Sequence, residues 1–319
     1  NIMNIAKKHH KYVIFMPLYK INSDTIWWLK IYEEGNNMTY NKLFFPIGGG
    51  EELRTRIHGA LLIGKYFKSH LEVFKSEAKP SQIMKIDETL PPSILKELNA
   101  MVKDRQQEDL VIHETLFKEE AQLLGVEISN KRVKGVATAE VITGSGYRSK
   151  LIAQESKYCD LVVVASPPNG KLTATFETTV TQSGNPAIMF PRKMDKFSTD
   201  NVVIGWNNSP EAARAISLAI PIMKTAKKVL IVTAKEYLTD SSQIDKLVAY
   251  LACNDIEATY EIVQTTRIPG QALLNKANEG NFDLIVAGAF GQKGIKEIMF
   301  GGTTKYVLEH TTIPVFMSN

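Results

Sequence analysis

Two short apolar runs, each opened by an aspartate, constrain this chain more than any other feature: Asp160-Leu-Val-Val-Val-Ala165 and Asp283-Leu-Ile-Val-Ala-Gly288. Neither run alternates polar with apolar positions, so both faces of each strand must be covered, the condition of a strand inside a parallel sheet. A parallel sheet needs crossover helices, and the sequence supplies them twice. Lys42-Leu-Phe-Phe-Pro-Ile47 leads into Gly48-Gly49-Gly50 and then into helical apolar spacing from Arg54 to Phe67, which reads as strand, tight turn and helix. Val202-Val-Ile-Gly-Trp206, Asn207-Asn208-Ser209-Pro210 and Glu211 to Met223 repeat that order. Ser209 is the expected N-cap and Pro210 the first helical residue, where a missing N–H costs nothing.

Each copy continues with a second strand, at Leu71 to Lys75 and at Lys228 to Thr233, and closes on a short strand introduced by proline, at Ala187 to Phe190 and at Val315 to Met317. Helical patterns at Leu116 to Leu124, Ser149 to Lys157, Ser242 to Cys253 and Gly270 to Glu279 fall between them. The fold class expected is α/β, two tandem doubly wound parallel-sheet (Rossmann-like) domains. Their bounds are 38–192 and 201–319, joined by the polar linker Arg192 to Asp200. The first copy is longer: 114 positions separate Pro46 from Asp160, against 78 between Gly205 and Asp283. Most of the excess lies between Ser76 and Asp109, a polar, proline-bearing stretch read as an elaborated loop or helical arm. Residues 1–37 do not fit the repeat and are expected to lie outside the fold as an N-terminal extension. The alternative for them is a partner-binding or membrane-surface patch at Trp27 and Trp28.

Composition narrows the function. With 38 basic and 34 acidic residues the net charge is +4, spread without the Lys/Arg blocks of a nucleic-acid face, so no nucleic-acid partner is expected. No apolar run reaches the ~18 residues of a membrane span. Cys159 and Cys253 lie far apart beside apolar residues; both read as buried core thiols in a reducing compartment, hence a cytoplasmic location.

The stretch that carries chemistry is Gly288-Ala-Phe-Gly291, then nine residues, then Gly301-Gly302-Thr303-Thr304, directly after a buried strand and opening a helix. Glycines allow close approach to a ligand, and a helix start offers unpaired N–H groups and the positive end of the dipole. This is a candidate anion cradle. Glycine, two residues, glycine, nine residues, glycine and a small polar residue resembles the ATP loop of the universal stress protein family. Asp283-Leu-Ile-Val before it, Val307-Leu-Glu-His310 and Ile313-Pro-Val after it, and Trp206-Asn-Asn-Ser-Pro-Glu earlier resemble bacterial tandem members.

The resemblance implies an ATP or other adenine-nucleotide site, with Mg²⁺ as a companion ion, at Gly288, Gly291, Gly301, Gly302 and Thr303. Asn207 stands where the family carries an aspartate at the adenosine end, and Ala234 would offer backbone contacts to adenine. Gly302 stands where ATP binders carry Ser or Thr, which removes a hydroxyl and keeps the N–H. Lys293 and Lys296 either reach phosphates or solvate the loop. In the first copy the equivalent of Asn207 is Gly48, and the loop after Val164 carries Pro167 and Pro168, which lack N–H donors; the first copy is expected to be nucleotide-free. Gly48-Gly49-Gly50 is not a dinucleotide fingerprint, because its third glycine would fall at Leu53.

The function implied is a nucleotide-binding regulatory protein of the stress response. A nucleotide-free interaction scaffold and a slow ATPase are the alternatives, and no catalytic residue or metal ligand is assigned among the six histidines. Protein partners are not specified. The two terminal strands are expected to pair within the chain as an internal pseudo-dimer, with further homodimerisation not required.

Overall fold

The computed structural model describes residues 40–48, 50–78, 91–168, 173–238, 240, 242–264, 269–289 and 303–319, and the backbone alone at residues 174 and 303–305. The expectations placed on residues 1–37 lie outside the described residues.

Eleven strands form one sheet in the order β3-β4-β2-β1-β5-β6-β11-β10-β7-β8-β9. The first half supplies β1 (Lys42–Ile47), β2 (His70–Glu77), β3 (Glu127–Ile128), β4 (Thr138–Ser145), β5 (Leu161–Ala165) and β6 (Ala187–Phe190). The second supplies β7 (Asn201–Trp206), β8 (Lys228–Ala234), β9 (Ala258–Val263), β10 (Leu284–Gly288) and β11 (Val315–Ser318). All neighbours run parallel except β6 and β11, which pair antiparallel with Met189 opposite Val315, Ile188 opposite Phe316 and Ala187 opposite Met317. Reading outward from that junction, the first five strands of each half follow the same order, β3 being an extra edge strand of the first half, so a local two-fold relates them. The fold is the α/β doubly wound class expected, and the terminal strands pair within the chain.

Helices cover both faces. On one lie α1 (Leu53–Phe67) and α2 (Pro92–Leu124) from the first half, with α5 (Pro210–Met223) and α6 (Ser242–Cys253) from the second. On the other lie α3 (Arg148–Glu155), α4 (Ala174–Gln182), α7 (Pro269–Glu279) and α8 (Thr303–His310). Each face holds one apolar core running through both halves. Alternation along β6 sends Ile188 and Phe190 into one core and Ala187 and Met189 into the other, the period-two consequence of a strand covered on both sides. Gly59 of α1 makes room for the Phe190 ring, since a Cβ there would stand 2.4 Å from its Cε2.

The aspartates that open the two apolar runs have the same task. Asp160 Oδ2 accepts the N–H groups of Asn41 (2.7 Å) and Lys42 (2.9 Å). Asp283 Oδ2 accepts the backbone N–H of Asn201 (2.9 Å) and its side-chain amide (3.0 Å). Each carboxylate therefore ties the start of its own strand to the start of the neighbouring one. Ser209 caps α5 as expected, its Oγ accepting the N–H of Ala212 at 3.2 Å. The halves are further joined by Tyr40, whose hydroxyl donates to the Leu218 carbonyl of α5 at 2.7 Å, and by Tyr66, 2.6 Å from Thr199 Oγ1 in the linker.

Two expectations are corrected. The arm of the first half is not separate from its next helix: α2 runs unbroken for 33 residues from Pro92. Its Arg54 and His58 partners on α1 hold Glu120 at 2.7 and 2.8 Å. Cys253 is exposed whereas Cys159 is buried, because the inward stripe of α6 is Ile244, Leu247 and Leu251 and position 253 falls off it. Among the described residues no helix is long and apolar enough to cross a membrane.

Two outcomes follow. Ile188→Lys or Val315→Lys places a charge at positions 0% and 2% exposed without a partner, and should lower unfolding stability by about 3–5 kcal/mol in urea titration. His113 is 7% exposed; burial, reinforced by the charge of Lys75, pulls its imidazole down to about 4. Above the unfolded value of ~6.5 both states are neutral; as pH falls the unfolded chain is protonated first, so stability drops until about pH 4. With solvent screening allowed for, the loss should be about 2 kcal/mol, and His113→Gln should flatten this part of the stability–pH curve.

Candidate functional site

In a doubly wound sheet the crevice forms outside the carboxyl ends of strands where the order reverses. In the second half that point lies between β7 and its neighbours β8 and β10. Asn207 follows β7, Ala234 ends β8 and Gly288 ends β10, and all three line one pocket with Trp206, Thr233 and Leu273, enclosing about 60 Å³. Val307 and Leu308 of α8 line it too, so the helix that begins at Thr303 reaches the same place. Gly291, Gly301, Gly302, Lys293 and Lys296 lie outside the described residues.

The three described positions differ in what they offer. Asn207 is tied into its own turn, its Oδ1 accepting the Ser209 N–H at 3.2 Å, which leaves its amide N–H₂ as the donor face. Gly288 is demanded by packing as well as by any ligand: a Cβ there would meet the Ala212 backbone nitrogen at 2.5 Å. The amino end of α5 thus sits directly against the end of β10. Ala234 is 3% exposed and contributes backbone. Sequence reasoning missed two lining groups. Among the described residues, Trp206 Nε1 and Thr233 Oγ1 are buried and have no hydrogen-bond partner, although buried polar atoms ordinarily find one. The sequence signal for them was their place at the strand ends beside Asn207 and Ala234.

The equivalent crevice of the first half is larger, about 750 Å³, and lined by Arg56, Arg148 and Arg192. Gly48, the counterpart of Asn207, leaves open a space that the Arg148 guanidinium fills: a Cβ at 48 would lie 3.2 Å from its Nη2. Pro167 and Pro168 stand in the wall as the sequence places them. None of the arginines was legible as a site residue, because they come from two different helices and the linker.

Elsewhere, His70, Glu72 and Glu140 bring three potential ligand atoms within 4.8 Å of one another. Lys42 Nζ sits 2.5 Å from Glu72 and His70 Nε2 3.3 Å from Glu140, so each of those carboxylates already has a partner within the protein. His310 Nδ1 lies 2.9 Å from the Tyr306 carbonyl and its ring stacks on Tyr306.

Comparison with known proteins bears on the fold. The Universal stress protein family model matches residues 198–318. A universal stress protein of Archaeoglobus fulgidus DSM 4304 aligns over 88% of this chain and 96% of its own, with 18% identity and a TM-score of 0.61. A Pseudomonas aeruginosa UCBPP-PA14 protein named for the same family aligns over 88% of this chain and 94% of its own, with 16% identity and a TM-score of 0.50. A universal stress protein solved in complex with cAMP aligns over 38% of this chain and 96% of its own, with 23% identity and a TM-score of 0.31. Among curated proteins none matches the chain. Residues 198–318 are therefore a universal stress protein domain.

Proposed function

We propose that the chain is an adenine-nucleotide-binding regulatory protein of the stress response, acting in the cytoplasm, and that its second half, residues 201–319, holds the nucleotide. The observation that carries this reading is the pair of orphaned donors, Trp206 Nε1 and Thr233 Oγ1, in the same pocket as Asn207, Ala234 and Gly288. A purine edge supplies the acceptors that such buried groups lack. The backbone of Ala234 would hold the base, the amide of Asn207 would donate toward the ribose, and the N–H groups at the start of α8 would face the phosphates. Among the described lining residues there is no carboxylate, so Mg²⁺ would ride on the phosphates. Nothing in this set supplies a nucleophile and base, and the reading is of a binding protein whose nucleotide state biases partner contacts.

A second reading, a nucleotide-free scaffold, is favoured by the enclosed volume of about 60 Å³, below the ~300–1,000 Å³ of typical ligand pockets, and by the packing demand on Gly288. Titration of the purified chain with labelled ATP, ADP and cAMP separates the two. Saturable binding below about 1 mM is expected, weakened roughly 3- to 10-fold by Thr233→Val, the effect of one lost hydrogen bond, and more than about tenfold by Gly301→Val, whose branched side chain blocks close phosphate approach. Absence of saturable binding at millimolar ligand, with no nucleotide carried through purification, would establish the scaffold instead. Slow hydrolysis would appear as phosphate release that Gly301→Val removes.

A further inference from the structure

We propose that the first half carries a phosphate-binding site of its own, in which Arg148 and Arg56 grip a phosphate group at the carboxyl ends of β1 and β5. The proposal is independent of the nucleotide reading for the second half. It starts from the crevice of about 750 Å³, within the ~300–1,000 Å³ range of small-molecule sites.

Arg148 is the centre of the site. Its guanidinium lies over Gly48 and donates to the carbonyls of Ile47 (2.6 Å) and Pro46 (3.2 Å), to Ser76 Oγ (3.4 Å) and to Thr175 Oγ1 (3.3 Å). These neutral acceptors hold the fork rigid without cancelling its charge. Among the described residues no carboxylate forms an ion pair with it. Burial, then the like charge of Arg56, pulls it down to about 10, the direction expected of a cation crowded by another cation in a partly dry crevice.

Arg56, 8% exposed, approaches from α1 and donates to the Gly48 carbonyl at 3.0 Å. Arg192 closes the rim, its Nε 2.5 Å from Glu52 Oε2 and its Nη1 3.2 Å from the Ser166 carbonyl. Glu52 is already committed to Arg192 and to Lys193, 3.7 Å away. The carboxylate at the rim is therefore engaged, and Arg56 and Arg148 line the same crevice.

The chemistry that completes such a site is a phosphate. One of its oxygens accepts the Nη2 N–H of Arg148 that the backbone carbonyls and hydroxyls leave over, and the two guanidinium charges together favour an anion in the crevice. The amino end of α4, capped by Thr173 (Phe176 N–H to Oγ1, 3.1 Å), adds a favourable dipole beside Thr175. Where the second half would use a glycine-rich turn, the first has Pro167 and Pro168 in the crevice wall, with no N–H to give; guanidinium donors take that role instead. The group could be free phosphate or the phosphate of a small metabolite.

The test is calorimetric titration of the full chain with inorganic phosphate and, separately, with glycerol 3-phosphate. Saturable binding is expected, at least tenfold weaker in Arg148→Gln and unchanged in Thr233→Val, which alters only the second half. Because Arg148 also holds strand-end carbonyls, Gly48→Ala provides the second variant: it keeps every charge but pushes a methyl group to 3.2 Å from the guanidinium, and should weaken binding several-fold in a normally folded chain. Tighter binding of glycerol 3-phosphate identifies a phosphorylated small molecule as the ligand, and equal or tighter binding of inorganic phosphate identifies free phosphate. No saturable binding of either probe, binding indifferent to both first-half variants, or binding lost with Thr233→Val overturns the proposal.

Discussion

Everything in this molecule depends on one antiparallel strand pair. β6 and β11 are short, apolar but for Ser318 at the end of β11, and the last strand of their halves; left alone, each would be an unpaired edge exposing backbone N–H and C=O groups to any passing strand. Paired with each other they turn two five- or six-stranded sheets into one and let both faces carry a continuous core from end to end. Burying an aliphatic or aromatic side chain contributes about 1.5–3 kcal/mol, and every residue of β6 together with Val315, Phe316 and Met317 is at most 2% exposed. The seam is therefore as much core as interface, and the chain has built into itself the contact that separate subunits would otherwise have to make.

The local two-fold makes the departures between halves informative. Both place a crevice at the carboxyl ends of equivalent strands, yet one is lined by orphaned neutral donors and the other by guanidinium groups. Part of the difference lies at one backbone position. At 207 an asparagine folds back onto its own turn; at 48 a glycine leaves a gap into which Arg148 lies. Reversing the electrostatics of a crevice required no change in the sheet that forms it, which is why fold and ligand chemistry have to be argued separately.

Much of the architecture was legible in the sequence because its determinants are local. Asp160 and Asp283 announce buried strands and then bond to the neighbouring strand starts; Ser209 with Pro210 announces a helix start and caps it. β4 and β9 were not read, since they lie toward the two sides of the sheet, half-exposed, and Thr138–Ser145 and Ala258–Val263 carry mixed polar patterns. The full extent of α2 was hidden by its charge, with few inward residues along its first half. Of the candidate site, Asn207, Ala234 and Gly288 were named through the family resemblance and line one pocket, whereas nothing in the sequence pointed to the arginine cluster: three side chains from residues 56, 148 and 192 meet only once the chain is folded.

The claim that the two halves stand or fall together through the β6–β11 seam is tested most directly by native-state hydrogen exchange. If the seam is common core, the amides of Ala187–Phe190 and Val315–Ser318 should be among the slowest in the molecule and share one opening free energy, equal to that of global unfolding. Opening energies that differ by more than about 1 kcal/mol, with β6 exchanging alongside the first half and β11 alongside the second, would contradict it.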